Sequence, residues 1–402
     1  RAGRRSATAL VVGLSGIVVL LLRKPGAMIA PSIWAEDGKI FLAQALSPGQ
    51  DWLTPYAGQL WVSQRTVMAL VAQFPMAWIP LLLYVVSCVA AVLFLSPLLQ
   101  SRAIGLFGSF RWQAAAFFLL LLMPTVTEIQ GNVANLHLWM AVGLLVLLAL
   151  PAPVTVPGRV AEIGYLSGAV LTGFLGVILT PAALWAAYKY RTRFVLLRAG
   201  VVVTGAAVNV SVWMISDRPP GSDVLDRLAT VPGALAKRWG GGMTLGNYIM
   251  RFVWPEGFLS IFLIPALLIL GLLVYLAWRD RAGPSPVWLL TGALWLVLGI
   301  VSPAGGIAVD WVQSAIGGWR YVAVAIATGF LVLIRALSVG STRLAAVGLA
   351  ACSLAILSGA YLRSPQPPVT ASQMQDFERC IESANRPCVL PIAPAGWTVI
   401  VE

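Results

Sequence analysis

Residues 75–99 pass without one charged side chain, and apolar runs of this kind recur near 7–22, 112–124, 136–150, 163–187, 194–216, 257–278, 286–302, 319–335 and 343–362. A bilayer-crossing helix needs about 20 mainly apolar residues. Only helices and closed barrels satisfy their backbone polar groups in lipid. The runs lack the dyad alternation of a barrel strand, so the expected fold class is an all-α integral membrane protein. Composition agrees. Charged residues make up 10% of the chain, against about 25% in a soluble domain.

Several runs are too short to cross a bilayer unaided, 112–124 and 136–150 most clearly. Short or broken helices flanking a polar loop mark a cavity, where irregular backbone is tolerated at membrane depth. Residues 7–22 have the length of a signal-peptide core, but Arg23-Lys24-Pro25 follows in place of a small-residue cleavage site. The run reads as a retained first helix.

Basic loops set the topology. Arg4 and Arg5 place the N-terminus in the cytoplasm, and Arg102 with Arg111 marks a second cytoplasmic loop. Further cytoplasmic loops carry Lys189, Arg191, Arg193 and Arg198, then Arg279 and Arg281, then Arg335 and Arg343. Loops 25–60, 125–135, 217–256 and 303–318 then face outward, as does the tail. The run 163–187 lies between two loops assigned to the cytoplasm, 151–162 and 189–198. It must enter and leave on one side, as a hairpin of two short helices broken among Gly173, Gly176 and Thr180-Pro181. The count is about eleven transmembrane or re-entrant helices, several short or broken, with the C-terminus outside. Arg23-Lys24 runs against the rule. The expected division is a polytopic domain over 1–362 and a small external cap over 363–402, entered through the linker Ser364-Pro365-Gln366-Pro367-Pro368. The expected location is the inner or plasma membrane of the cell.

The formal net charge is +12. The basic residues punctuate the apolar runs, so they serve topology and contact with anionic membrane lipids, and no nucleic-acid face is expected. Cys88 and Cys352 lie inside apolar runs as buried thiols. Cys380 and Cys388 lie in the tail on the oxidising side and should form a disulfide, stabilising the cap by roughly 2–3 kcal/mol. No Cys/His cluster exists, and too few carboxylates gather in sequence to support a divalent metal. No cofactor is certain from the sequence, and a divalent metal stays optional.

Acid–base chemistry needs titratable groups, and this chain has 15 carboxylates and one histidine. Glu162 and Asp280 fall in cytoplasmic loops. Glu36-Asp37, in Trp34-Ala35-Glu36-Asp37-Gly38-Lys39-Ile40-Phe41, lies just past the first apolar run between aromatics that favour the interface. A partly desolvated carboxylate there is more basic. The alternative is that one acid caps a helix starting near Gly38. A second cluster, Glu128 to Trp139, joins the two shortest runs. Its Asn132, Asn135 and His137 suit sugar hydroxyls or a phosphate, against the alternative of a solvated loop with one satisfied histidine. Arg320 and Tyr321, in Gly317-Gly318-Trp319-Arg320-Tyr321, open an apolar helix. A guanidinium fork there suits a phosphate, or snorkels to the interface. Arg65, in Gln59-Leu60-Trp61-Val62-Ser63-Gln64-Arg65, and Lys237-Arg238 before Trp239 are similar basic-aromatic spots. No loop carries a nucleotide-binding signature. A synthetic reaction on the outer side therefore needs a lipid-carried donor.

An acidic pair in the first external loop, an odd number of spans and an external C-terminal piece resemble the GT-C superfamily of polytopic membrane glycosyltransferases. The strings Trp34-Ala35-Glu36-Asp37-Gly38, Gly318-Trp319-Arg320-Tyr321 and Pro391-Ile392-Ala393-Pro394-Ala395-Gly396-Trp397 resemble poorly characterised bacterial members. The resemblance implies an inverting transfer of sugar from a polyprenyl-phosphate donor to a glycan or glycolipid acceptor outside the cell. By it, Asp37 is the base that deprotonates the acceptor hydroxyl. Glu36 orients it or exchanges roles with it. Arg320, with Arg65, Lys237 and Arg238, neutralises the departing lipid phosphate. Two other classes remain open. A lipid-carrier flippase or transporter would spread its acids through the spans, and a structural subunit of a larger complex would need no site.

Overall fold

The computed structural model describes residues 2–47, 49, 53–124, 129–216, 224–246, 249, 259–301, 319–340, 342–353, 355–357, 368–383 and 387–401. Apart from a hairpin near the C-terminus, its regular structure is helical, and the protein is a multi-pass membrane protein. Four described helices, Arg5–Arg23, Met76–Leu99, Arg193–Ile215 and Arg320–Ser338, are long and apolar enough to cross a bilayer. Ser101–Phe107 and Phe110–Leu121, bent by 87°, make a fifth if taken as one span. Leu136–Ala149, Leu263–Arg279 and Ser285–Ile300 are apolar but shorter. Length and composition alone thus give four or five spans, and the count of eleven is not reached. Several of the runs behind that count form short or broken helices.

Leu136–Ala149, from one of the shortest runs, is buried around its whole circumference, as is almost all of Ala323–Ser338. A helix apolar on every side belongs to the interior. Leu136–Ala149 is a core helix, which accounts for its length. The helices around it turn Leu10, Leu14, Met214, Leu268 and Trp278 outward, where lipid covers them.

Residues 163–187 do form a hairpin. Val156–Val170 runs away from one end of the bundle, the chain turns at Leu171–Phe174, and Leu175–Tyr190 returns. Gly173 makes the turn at φ +59, a conformation open to glycine without steric cost. Trp61 bridges to Thr172, and Gly173 N donates to Leu60 O at 2.7 Å, so the turn is stitched to the far end. Thr180-Pro181 does not break the chain, because Pro181 sits inside Leu175–Tyr190.

Polar contacts sort the loops into two ends. At one end, Arg5 donates to Gln113 Oε1, and Gln113 donates to Gln100 O. Glu162 pairs with Arg102 at 2.7 Å and with Arg198. Arg198 also donates to Leu150 O, Tyr190 to Ala149 O, and Lys189 to Ala282 O. Arg335 grips both oxygens of Asp280 and donates to Leu106 O. The N-terminus and every described loop assigned to the cytoplasm share this basic end. Glu162 and Asp280, which the sequence placed in loops of this end, serve there as counter-ions of buried or half-buried arginines.

At the other end, Arg23 explains its departure from the basic-loop rule. It is buried and donates to Leu121 O and Met123 O, closing the C-terminus of Phe110–Leu121. It is a helix cap, not a topology signal. Tyr84 and Gln130 in turn donate to Leu20 O at the end of the first helix.

The tail is not wholly α-helical. Helix Ala371–Glu382 opens with a capping box from Thr370 and Gln373. Strands β1 (Cys388–Ile392) and β2 (Trp397–Val401) then pair antiparallel, with Cys388 opposite Val401 and Ile392 opposite Trp397. A disulfide joins Cys380 to Cys388. The unit lies against the first loop of the same end, Val369 N donating to Pro31 O and Ala35 N to Ala393 O.

Candidate functional site

Glu36 and Asp37 begin a short π-helical stretch, Asp37–Leu42. Neither side chain caps it. Asp37 is only 1% exposed, and each of its oxygens accepts from a backbone amide, Oδ2 from Val133 at 2.9 Å and Oδ1 from Ala134 at 2.6 Å. It anchors the loop that follows Gln130. Asn132 Oδ1 accepts from Asn135 N within that loop, so both asparagines are buried parts of a turn. Glu128 lies outside the described residues.

Glu36 points elsewhere. Its Oε1 pairs with Arg320 Nη1 at 3.0 Å, across 284 positions of sequence. Each side chain keeps 14% of its exposure. Glu36 Oε2 is buried and has no hydrogen-bond partner among the described residues. Arg320 also lies over the Tyr321 ring, 5.2 Å from its centroid, and donates to the Tyr321 hydroxyl.

Aromatic residues line the neighbourhood. Trp61 packs on Phe41 and Tyr56, and meets His137 edge-on at 5.1 Å. Trp295 stacks on the other side of His137 at 5.8 Å. His137 Nδ1 lies 2.9 Å from Ala134 O. A donor at Nδ1 leaves Nε2 as the acceptor nitrogen. Gln64, fully buried, reaches Ala134 O and His137. Burial raises the Tyr56 phenol above its ordinary value, and the Glu36 charge adds to the rise. Tyr56, Trp61, Gln64 and Trp295 were not selected from the sequence. Three of them lie in or beside the Gln59–Arg65 string already singled out for Arg65.

The remaining basic candidates divide. Arg65 is buried, and donates to Gln44 Oε1 at 3.0 Å and to Thr54 O, tying both to helix Val62–Val71. Lys237 and Arg238 lie on the π-helical stretch Ala234–Gly241, which touches the Trp319–Val322 turn carrying Arg320. Arg238 is buried. Gly38 does not leave space beside Asp37. A methyl group there would stand 2.5 Å from Ile392 Cδ1 and 2.9 Å from Val399 Cγ2, so the tail hairpin fills that side. No three of His, Cys, Asp and Glu gather to hold a metal among the described residues.

Burial pushes the Asp37 carboxyl up to about 7. It outweighs the two amide bonds, which favour the ionised form, and the Glu36 charge adds to the rise. An unperturbed carboxyl titrates near 3.8. Between about pH 4 and pH 7 the folded protein therefore holds a proton that the unfolded chain has lost. The stability attached to Asp37 is full below that window and falls as pH rises through about 7. Thermal unfolding at pH 5 and pH 8 should show this decline in the wild type and a smaller one in Asp37→Asn. Equal declines would remove Asp37 as the cause.

The site thus joins an anchored carboxylate, an adjacent carboxylate paired with a guanidinium, and a group of aromatic residues, contributed by five separated stretches of chain. Compared with protein-family models, curated proteins and solved structures, the chain matches none of them.

Proposed function

We propose that this protein is a membrane glycosyltransferase of the GT-C kind. It moves a sugar from a polyprenyl-phosphate donor to a glycan or glycolipid acceptor on the outer side of the inner or plasma membrane, with inversion. The basic end then faces the cytoplasm and the acidic end, with the tail, faces outward, in keeping with the positive-inside rule. The observation that carries the reading is the Glu36–Arg320 pair beside the buried Asp37. It sets a carboxylate against a phosphate-binding guanidinium at one end of a membrane bundle.

In this reading the acceptor hydroxyl attacks the anomeric carbon as its proton passes to a carboxylate, and the bond from that carbon to the phosphate oxygen breaks. Arg320 neutralises the departing lipid phosphate, with Lys237 and Arg238 on the neighbouring stretch adding positive charge. The base is Glu36. Asp37 has both oxygens on amides and almost no exposure, whereas Glu36 Oε2 has no hydrogen-bond partner among the described residues. A phosphate that draws Arg320 away also frees Glu36 Oε1. Asp37 then positions its neighbour. Trp61 and Tyr56 offer the flat apolar faces on which sugar rings pack.

Initial rates in nanodiscs, with polyprenyl-phosphate sugars as donors and membrane glycolipid extract as acceptor, test the reading. Arg320→Lys keeps the charge but loses the fork, and should raise the donor KM about tenfold. Arg320→Ala should be worse. Movement of labelled donor across the bilayer without sugar transfer would establish the flippase reading in its place. Unchanged kinetics in both variants would return Arg320 to an interfacial anchor.

A further inference from the structure

We infer that the C-terminal tail is a positioning arm of the acidic site, so that the carboxylate pair is held from the tail as well as from the bundle and its placement depends on the Cys380–Cys388 bond. The contacts bracket the pair. Before it, Ala35 N donates to Ala393 O at 2.6 Å and Ala393 N donates to Ile33 O at 3.0 Å, forming a parallel bridge between Trp34 and Ala393. After it, Gly38 lies beneath Ile392 and Val399, so close that an added Cβ would push them aside. Lys39 Nζ lies over the Trp397 ring, 5.4 Å from its centroid. Residues 33–35 therefore dock beside the end of the tail hairpin through a single isolated parallel bridge. The second support of the pair, Asp37 on Val133 and Ala134, comes from the bundle.

The arm is too small to hold its own shape by packing. A two-stranded hairpin is marginal in water, and segments of this size usually need a covalent staple. Here one strand of the hairpin begins at Cys388, which is bonded to Cys380 on helix Ala371–Glu382. That helix buries only Met374 and Phe377. Reduction by a dithiol adds two electrons and two protons to the bond and yields two thiols, while the dithiol closes to its own disulfide. The hairpin then keeps only its non-covalent hold on the helix, and its grip on Ala35 and Gly38 loosens. The site becomes thiol-dependent although no cysteine lies in it. This inference concerns placement. Only its kinetic arm rests on the transferase reading.

The test uses the full chain in nanodiscs, oxidised or treated with dithiothreitol, and follows amide hydrogen exchange at 33–42 with helix Arg193–Ile215 as internal reference. Reduction should speed exchange at Ala35 and Gly38 at least tenfold and leave the reference unchanged. The double variant Cys380→Ser/Cys388→Ser should exchange fast with or without reductant. Gly38→Ala should also speed exchange, and adding Ile392→Val, which removes the Cδ1 that a new Cβ would meet, should restore most of the protection. Where transfer is measurable, reduction should lower kcat and leave the donor KM within twofold. Unchanged exchange at 33–42 with both thiols shown free by alkylation overturns the inference. So does equal acceleration in the reference helix, which would make the bond a support of the whole fold. The exchange result decides the matter even if no sugar transfer is ever observed.

Discussion

Glu36→Gln should lower sugar transfer by about 10²–10⁴-fold, the usual contribution of a general base, without weakening donor binding. Glutamine is nearly isosteric but cannot take the acceptor proton. It also removes the opposing carboxylate charge from Arg320, so the donor KM should hold or fall. The unfolding midpoint should move less than in Glu162→Gln, because among the described residues Glu36 accepts no amide hydrogen bond and its pair with Arg320 keeps 14% exposure on each side chain. Asp37→Asn should behave differently. The new NH2 faces one of the two amides that now donate to the carboxylate, and a buried donor opposed to a donor costs about 1–3 kcal/mol. Activity and thermal stability should fall together. Initial rates and unfolding midpoints of both variants separate the two roles. If Glu36→Gln keeps the full rate while Asp37→Asn loses it in a protein of wild-type stability, the base is Asp37 and the assignment reverses.

Glu162→Gln should destabilise the basic end by roughly 3–5 kcal/mol, the cost of removing one partner from a buried ion pair. Arg198 is 1% exposed and Glu162 4%. A neutral amide leaves the Arg198 charge under the surface with the carbonyls of Leu150 and Pro151 and the Phe194 ring but no carboxylate. Arg102, at 14%, retains some water, so Arg102→Ala should cost less than Arg198→Ala. Equilibrium unfolding in mixed micelles measures both. The effect should be confined to stability, since this cluster lies at the opposite end of the bundle from Glu36. A large loss of transfer in Glu162→Gln protein that remains fully folded would show coupling between the ends, as a transporter requires.

Much of this arrangement was legible in the residues. The described loops that basic positions grouped together meet at one end of the bundle, as expected where Lys and Arg gather on one side of a bilayer. The same logic required a hairpin over 163–187. Arg23 misled it, because a buried cap and a topology signal look alike until its partners on Phe110–Leu121 are in view. Glu36-Asp37 stood out by rarity, since an ionisable group near a membrane boundary carries a prior for function. Their separate roles did not, because neighbours in sequence diverge once one side chain is claimed by the amides of Val133 and Ala134. The space beside Gly38 carries no signature in the sequence. It is filled by Ile392 and Val399, from more than 350 positions away, and no local pattern announces a contact at that separation.

The sequence by itself determined the solvent in which this chain folds, the grouping of its loops and the scarcity of its titratable groups. These follow from transfer energies that add residue by residue. Only the tertiary structure decided that Arg320 meets Glu36, that His137 sits between Trp61 and Trp295, and that the tail grips the acidic loop. Those contacts join distant stretches, and their energies depend on which groups packing has already removed from water.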